Sequence, residues 1–349
     1  MLYWELTRAC ELACRHCRAE ANCHRDPREL TTDEGFRLLD RLRNFGEPLP
    51  HLVFTGGDPL KRPDLYELIG HAKSLGFTTA ITPSGTYALT QEIVGKLKEA
   101  GIWMMALSLD GSTPERHDTI RGVNGSYEWT LRAAHWARSI GLPFQINTVI
   151  CSDNAEDLPS MLDLVGSIGA DRWSLFFLIG TGRGKVLQEL SPEETERLMT
   201  WLYYIAPTVP FMIKTTEAPH YRRVVMQQQT AAKRAGEVVS EMPSVRRGFG
   251  IRDGNGVMFI SHIGEIYPSG FLPLSAGNVR LSDPVARYRE SRLFQSLRDP
   301  DQFHGKCGYC EYRQICGGSR ARAYAYTCDP LDADPLCDYQ PAPVAAAAR

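Results

Sequence analysis

From residue 2 to about 180, short apolar runs alternate with longer stretches whose apolar positions recur every three or four residues. The first kind fits strands buried in a parallel sheet, the second amphipathic helices. "LYWELT" (2–7), "HLVFTG" (51–56), "TTAIT" (78–82), "WMMALSL" (103–109), "FQINTVI" (144–150) and "WSLFFLI" (173–179) predict six strands. Helices are predicted near 32–45, 62–75, 90–100, 126–140 and 155–168. The first opens on "TTDE", a cap followed by acids that suit the positive end of a helix dipole. Right-handed crossovers put the helices of repeated βα units outside, and six such units bend more naturally into an open barrel than into a flat sheet. The pattern predicts an α/β fold, a partial (β/α)6 barrel over residues 1–210, with its chemistry at the carboxyl ends of the strands.

Further along, 192–206 reads as a helix, and "FMIKTTE" (211–217) is a candidate seventh strand opening a connecting segment at 211–255. "GVMFISHIGEIYPSG" (256–270) reads as a hairpin and starts a third region, 256–341. The tail at 342–349, mostly alanine, has nothing to bury and reads as disordered.

Charge narrows the function classes. Lysine plus arginine (39) against aspartate plus glutamate (41) gives a net charge of −2, so no general positive field would draw in nucleic acid or an anionic membrane. No window reaches the roughly 18 apolar residues of a membrane span, and "MLYWELTRAC" lacks a basic and then apolar leader, so the chain reads as cytoplasmic. In a reducing compartment clustered thiols are more often metal ligands or catalytic groups than disulfides.

Of ten cysteines, Cys10, Cys14 and Cys17 follow strand 1 and Cys307, Cys310, Cys316 and Cys337 crowd the carboxyl-terminal region. Cys23, Cys151 and Cys328 are left over, and Cys23 reads as a small buried side chain. Three thiolates suit zinc with a further partner or an iron–sulfur cluster with an open position, and four suit a closed site for either. Other strand ends carry Gly56, Gly57 and Asp58 in "TGGDP", then Ser84, then Ser108 and Asp110 in "SLDG", followed by Arg121 in "HDTIRG" and Asn147. Small, polar and charged groups facing three thiols have the makings of a site for a nucleoside bearing an amino acid.

"CELACRHC", "TGGDP" and "SLDG…HDTIRG", in that order on six βα units, resemble the radical S-adenosylmethionine enzymes over nearly the whole chain. The resemblance implies that Cys10, Cys14 and Cys17 hold three irons of a [4Fe–4S] cluster. The fourth iron is left to the amino and carboxylate groups of S-adenosylmethionine, which one electron cleaves to a hydrogen-abstracting 5′-deoxyadenosyl radical. It carries His16 to the adenine, the "GGD" backbone to the methionine amino group, and Ser108 and Asp110 to the ribose hydroxyls. Ser84, Arg121 and Asn147 join as further cofactor-binding candidates.

"CGYC…C…C" near the carboxyl terminus resembles the SPASM or Twitch extension, which carries auxiliary [4Fe–4S] clusters. Ser269 and Ser319 stand where the full SPASM pattern has cysteines. The implied complement is two [4Fe–4S] clusters, the second held by Cys307, Cys310, Cys316 and Cys337, with Cys328 spare or in place of one of these ligands.

"LYWELTRAC", "FLIGTGRG" and "CGGSRARAYA" are similar to runs in the heme-pathway members, which alter tetrapyrrole carboxylates. That makes Arg183, Arg320 and Arg322 candidate carboxylate partners and a flavodoxin- or ferredoxin-type protein the expected electron donor. One alternative is a radical maturase of a ribosomal peptide, disfavoured by entry into strand 1 at residue 2. Another is a zinc-bound structural protein.

Overall fold

In the computed structural model, which describes residues 1–239 and 241–342, nine strands form one sheet in the order β7-β6-β5-β4-β3-β2-β1-β8-β9. The strands are β1 (Leu2–Glu5), β2 (Leu52–Thr55), β3 (Thr79–Ile81), β4 (Met104–Ser108), β5 (Phe144–Ile150), β6 (Arg172–Phe177), β7 (Met212–Thr216), β8 (Met258–Ile260) and β9 (Ile266–Tyr267). All neighbours are parallel except β8 and β9. With β7 and β9 as its edges the sheet does not close, and it is a partial barrel.

The expected seventh strand forms, and the expected hairpin is β8–β9. The hairpin also extends the barrel: β8 lies parallel to β1, with Leu2 opposite Met258 and Trp4 opposite Ile260. No local pattern announces a pairing across so long a stretch of chain.

Between the strands run α1 (Thr32–Leu42), α2 (Leu65–Ser74), α3 (Gln91–Ala100), α4 (Pro114–Arg121), α5 (Ser126–Ser139), α6 (Leu158–Ile168) and α7 (Pro192–Ile205). Thr31 caps α1: its hydroxyl accepts from Glu34 N at 3.2 Å while Glu34 returns the bond to Thr31 N at 2.8 Å, satisfying two otherwise orphaned donors. Its apolar stripe, Leu38, Leu39 and Leu42, is buried in the main core with Trp4, Leu52 and Phe54 from the strands. After β7 come α8 (Tyr221–Arg234), α9 (Pro243–Arg247), α10 (Pro284–Glu290), α11 (Arg292–Arg298), α12 (Gly305–Tyr309) and α13 (Arg320–Thr327). Among the described residues no helix is long and apolar enough to cross a membrane. All but the first residue of the tail at 342–349 lies outside the described residues.

Alternation along the strands turns one set of side chains to the helices and the other inward. Gln145, Arg172 and Met212 share a row at the amino ends of β5 to β7. Asn147, Ser174 and Lys214 form the next row, and Val149, Phe176 and Thr216 the row nearest the carboxyl ends.

Candidate active site

The loop after β1 is built on backbone contacts. Cys10 N donates to Asn22 O at 2.7 Å, closing residues 10–22 into a compact turn that holds all three thiols. The "TGGD" turn after β2 lies directly beneath, with Gly57 N donating to Thr7 O and Asp58 N to Ala9 O, both at 2.7 Å. A Cβ on Gly56 would stand 2.5 Å from Thr7 O and one on Gly57 2.5 Å from Ala9 O, so only glycine permits this approach.

Arg183 ties the loop from above, its Nε donating to Cys14 O at 2.9 Å and its Nη1 to Ala21 O at 2.8 Å. Arg121, at the end of α4, lies 2.6 Å from Asp110 through Nη2 and donates to Cys14 Sγ at 3.6 Å.

Cys10, Cys14, Cys17, His16, Gly56 and Gly57 line one end of a cavity of about 1000 Å³ that also reaches Ser84, Ser108, Asp110, Arg121 and Asn147. Apart from Asp58, every residue expected to touch S-adenosylmethionine or its cluster is therefore brought to one site. Asp58 is fully buried under the turn, accepting from Leu60 N at 3.1 Å and Ser84 N at 3.3 Å. Ser84 Oγ in turn lies 3.2 Å from Cys10 Sγ. The carboxylate thus shapes the turn, and the glycine backbone faces the cavity.

Burial sets the electrostatics. It pushes the Cys10 and Cys14 thiols up, against Arg121 beside Cys14, so these thiols release protons when a metal takes them. Desolvation pulls His16 down to about 4, so its ring is neutral, and its Nδ1 is buried without a partner. Burial raises the Asp110 carboxyl, but the Arg121 charge outweighs it and holds the group ionised. A buried unpaired ring nitrogen, three thiols on one loop and a glycine cradle fit a cluster and a ligand carrying hydrogen-bonding groups.

The second set of cysteines converges too. Cys307, Cys310, Cys316 and Cys337 line one small cavity with Arg223 and Gly318. Each sulfur accepts an N–H: Cys307 from Asp334 N at 3.5 Å, Cys310 from Tyr312 N at 3.4 Å, Cys316 from Gly318 N at 3.4 Å and Cys337 from Arg223 Nη2 at 3.9 Å. Such donors suit thiolates carrying cluster charge. As free thiols, burial pushes Cys316 up to about 12 and Cys337 up to about 11. Among the described residues no three Cys, His, Asp or Glu side chains stand close enough to share one ion. A [4Fe–4S] cluster asks for a different arrangement, thiolates at separate irons.

Cys328 is exposed at the end of α13, away from these four. Cys23, expected to be buried, is exposed as well. Ser269 lines the large cavity and Ser319 caps α13, its hydroxyl donating to Glu217 at 2.6 Å.

The three arginines expected to meet substrate carboxylates are engaged elsewhere. Arg183 binds the cysteine loop. Arg320 is fully buried, bonded to Asp332 O at 2.7 Å and to Cys307 Sγ at 3.7 Å. Arg322, equally buried, is held by Glu189 at 2.7 Å, Glu217 O at 2.8 Å and Leu178 O at 3.0 Å. None of the three lines the cavity. Besides Arg121, the cations lining it include Arg172, Lys214 and Arg222, none of them a candidate from the sequence. The alternation of "MIKTT" could have flagged Lys214 as an inward position of a barrel strand.

Residues 4–165 match the model of the Radical SAM superfamily. Over its whole length the chain is 40% identical to 89% of the AdoMet-dependent heme synthase of Oleidesulfovibrio alaskensis. Over 98% of its length it is 38% identical to 97% of the AdoMet-dependent heme synthase of Methanosarcina barkeri. Its fold matches Streptococcus suis SuiB with a TM-score of 0.73 at 20% identity, over 97% of this chain and 77% of that one. Identity of this extent, on a barrel whose first loop gathers Cys10, Cys14 and Cys17 at the cavity, means that the chain belongs to the radical SAM superfamily and is an enzyme of it.

Proposed function

We propose that this enzyme oxidatively modifies carboxylate side chains of a heme precursor, with decarboxylation of a propionate arm as the reaction. The observation that carries the reading is one cavity of about 1000 Å³ lined by the three thiols and the glycine cradle and, deeper in the barrel, by Lys214 and Arg172, neither in an ion pair with a carboxylate among the described residues. Relatives named AdoMet-dependent heme synthase support the substrate class.

Cys10, Cys14 and Cys17 would hold one cluster, and Cys307, Cys310, Cys316 and Cys337 a second in a carboxyl-terminal extension. When bound, these clusters and S-adenosylmethionine supply one-electron cleavage of a sulfonium, hydrogen abstraction from an unactivated carbon and an electron acceptor. In the reading, Gly56 and Gly57 present backbone to the methionine part, Ser108 and Asp110 meet the ribose, and His16, neutral and wedged beside Arg121, packs near the adenine. Ser84 braces Cys10, and Asn147 borders the substrate volume. Arg222, which lines the cavity, donates at 3.4 Å to the backbone oxygen of Ile315, the residue before Cys316. The reading places the enzyme in the cytoplasm with an external one-electron donor of flavodoxin or ferredoxin type.

The test is anaerobic turnover with a heme precursor deuterated on its propionate arms. Deuterium in the released 5′-deoxyadenosine together with loss of carbon dioxide from the macrocycle is the expected result. Unlabelled nucleoside and an intact precursor would refute it.

A further inference from the structure

We infer that Lys214, with Arg172 below it and Arg222 beside it, forms a cationic seat that grips substrate carboxylates not undergoing reaction and thereby orients the reacting arm toward the cysteine loop. This rests on the tetrapyrrole reading above and assigns residues to it.

Placement comes first. Lys214 shares its row with Asn147 and Ser174, two residues below the row of Val149, Phe176 and Thr216 at the cysteine end of the barrel. At about 3.3 Å per strand residue its row lies roughly 7 Å deeper than that rim, and the row of Arg172 roughly another 7 Å below. Lys214 and Arg172 therefore stand deep in the barrel, away from the thiols, and a ligand spanning both must be long or broad.

Charge comes second. Lys214 has no side-chain hydrogen bond or ion pair among the described residues, although its ammonium faces the cavity and feels both Arg172 and Arg222. Arg172 makes one bond, to Gln145 Oε1 at 3.2 Å, and its Nε is buried without a partner. Arg222 meets a carbonyl and no carboxylate. The acids facing the same cavity are committed: Asp110 to Arg121 at 2.6 Å, and Asp253 to the backbone amides of Arg320 and Ala321 at 3.0 Å. Burial and the Asp253 charge push the Glu217 carboxyl well up, which weakens it as a partner for these cations.

Desolvation and the two arginines lower Lys214 to about 8, which still leaves it mostly charged at neutral pH. Gathering half-buried cations with no carboxylate in an ion pair to them costs stability, and an anionic ligand relieves it. Guanidinium forks and an ammonium are suited to carboxylates, and several at one end suit a ligand with several carboxylate arms.

The test compares anaerobically reconstituted full-length wild type with Lys214→Met and Arg172→Met, titrating coproporphyrin III and its tetramethyl ester by porphyrin fluorescence. Wild type should bind the free acid more tightly than the ester. Each variant should lose about 10- to 100-fold in affinity for the acid, the size of one charge-assisted bond, with the ester little changed. Lys214→Arg should stay close to wild type. Lys214→Met should unfold no more readily than wild type, since it removes an unpaired, half-buried charge.

Free-acid affinity unchanged in both Met variants, or equal wild-type affinity for acid and ester, would overturn the seat and leave the tetrapyrrole reading standing. If wild type bound neither porphyrin, that reading would fail and the seat with it.

Discussion

Replacing Arg183 by methionine keeps the stem and removes the guanidinium that spans the cysteine loop. The structure predicts damage to the first cluster and not to substrate affinity. Two bonds are lost, at 2.9 Å to Cys14 O and 2.8 Å to Ala21 O. Hydrogen bonds from a charged donor contribute about 1.5–3 kcal/mol each, and the partial exposure of Arg183 favours the low end, so the loop loses about 3 kcal/mol. That is roughly a hundredfold in the ratio of ordered to disordered loop. The assay is anaerobic chelation of the reconstituted enzyme, counting irons and following absorption near 400 nm. About four of eight irons should leave at chelator concentrations roughly a hundredfold lower than in wild type, with the other four unchanged, because the thiols of the second set share no contact with Arg183. An unchanged chelation profile together with a raised KM for the porphyrin substrate would refute this reasoning and return Arg183 to the substrate.

Changing Cys10, Cys14 and Cys17 together to alanine should abolish 5′-deoxyadenosine formation and remove about four irons, whereas Cys328→Ala should leave iron content unchanged, as counted by metal analysis. Arg322→Met strands Glu189 and Asp334 in the interior and should cost about 3–5 kcal/mol of unfolding free energy, read from denaturant titration; a raised KM without loss of stability would contradict its structural role. For Asp58, desolvation first of all raises the carboxyl to about 6, from 3.8. The folded state therefore favours the protonated form, an advantage present below pH 4 and lost as pH rises through 6. The shift of about two pH units corresponds to about 3 kcal/mol. Asp58→Asn keeps the oxygen facing Leu60 N and Ser84 N without titrating, so its stability in the cluster-free protein should gain on wild type by up to that amount between pH 4 and 7. Parallel unfolding curves for the two would refute the argument.

Much of the barrel was legible because its signals are local. β5 falls on the apolar run that marked it, and the cap and acids of "TTDE" start α1 where expected. The thiols and the glycine turn were legible for the same reason, since each lies within a few residues of a strand end. The pairing of β8 with β1 was not, because it depends on edge geometry set by the whole barrel. Nor were the fates of the arginines. "RAR" on a short helix reads as surface, and only packing against Asp334 and Glu189 shows Arg322 to be interior. Lys214 carries only the weak local signal of a polar residue alternating with apolar ones in a strand, and it is the pairing of β7 with β6 that fixes its row in the barrel.

The central claim is that the metal centre of Cys10, Cys14 and Cys17 keeps one iron free of protein ligands for a sulfonium nucleoside. It is tested most directly by electron paramagnetic resonance of the reduced, reconstituted enzyme with and without S-adenosylmethionine. The account predicts that the nucleoside changes the signal of that centre and leaves the signal dependent on Cys307, Cys310, Cys316 and Cys337 as it was. Identical spectra with and without the nucleoside would contradict it.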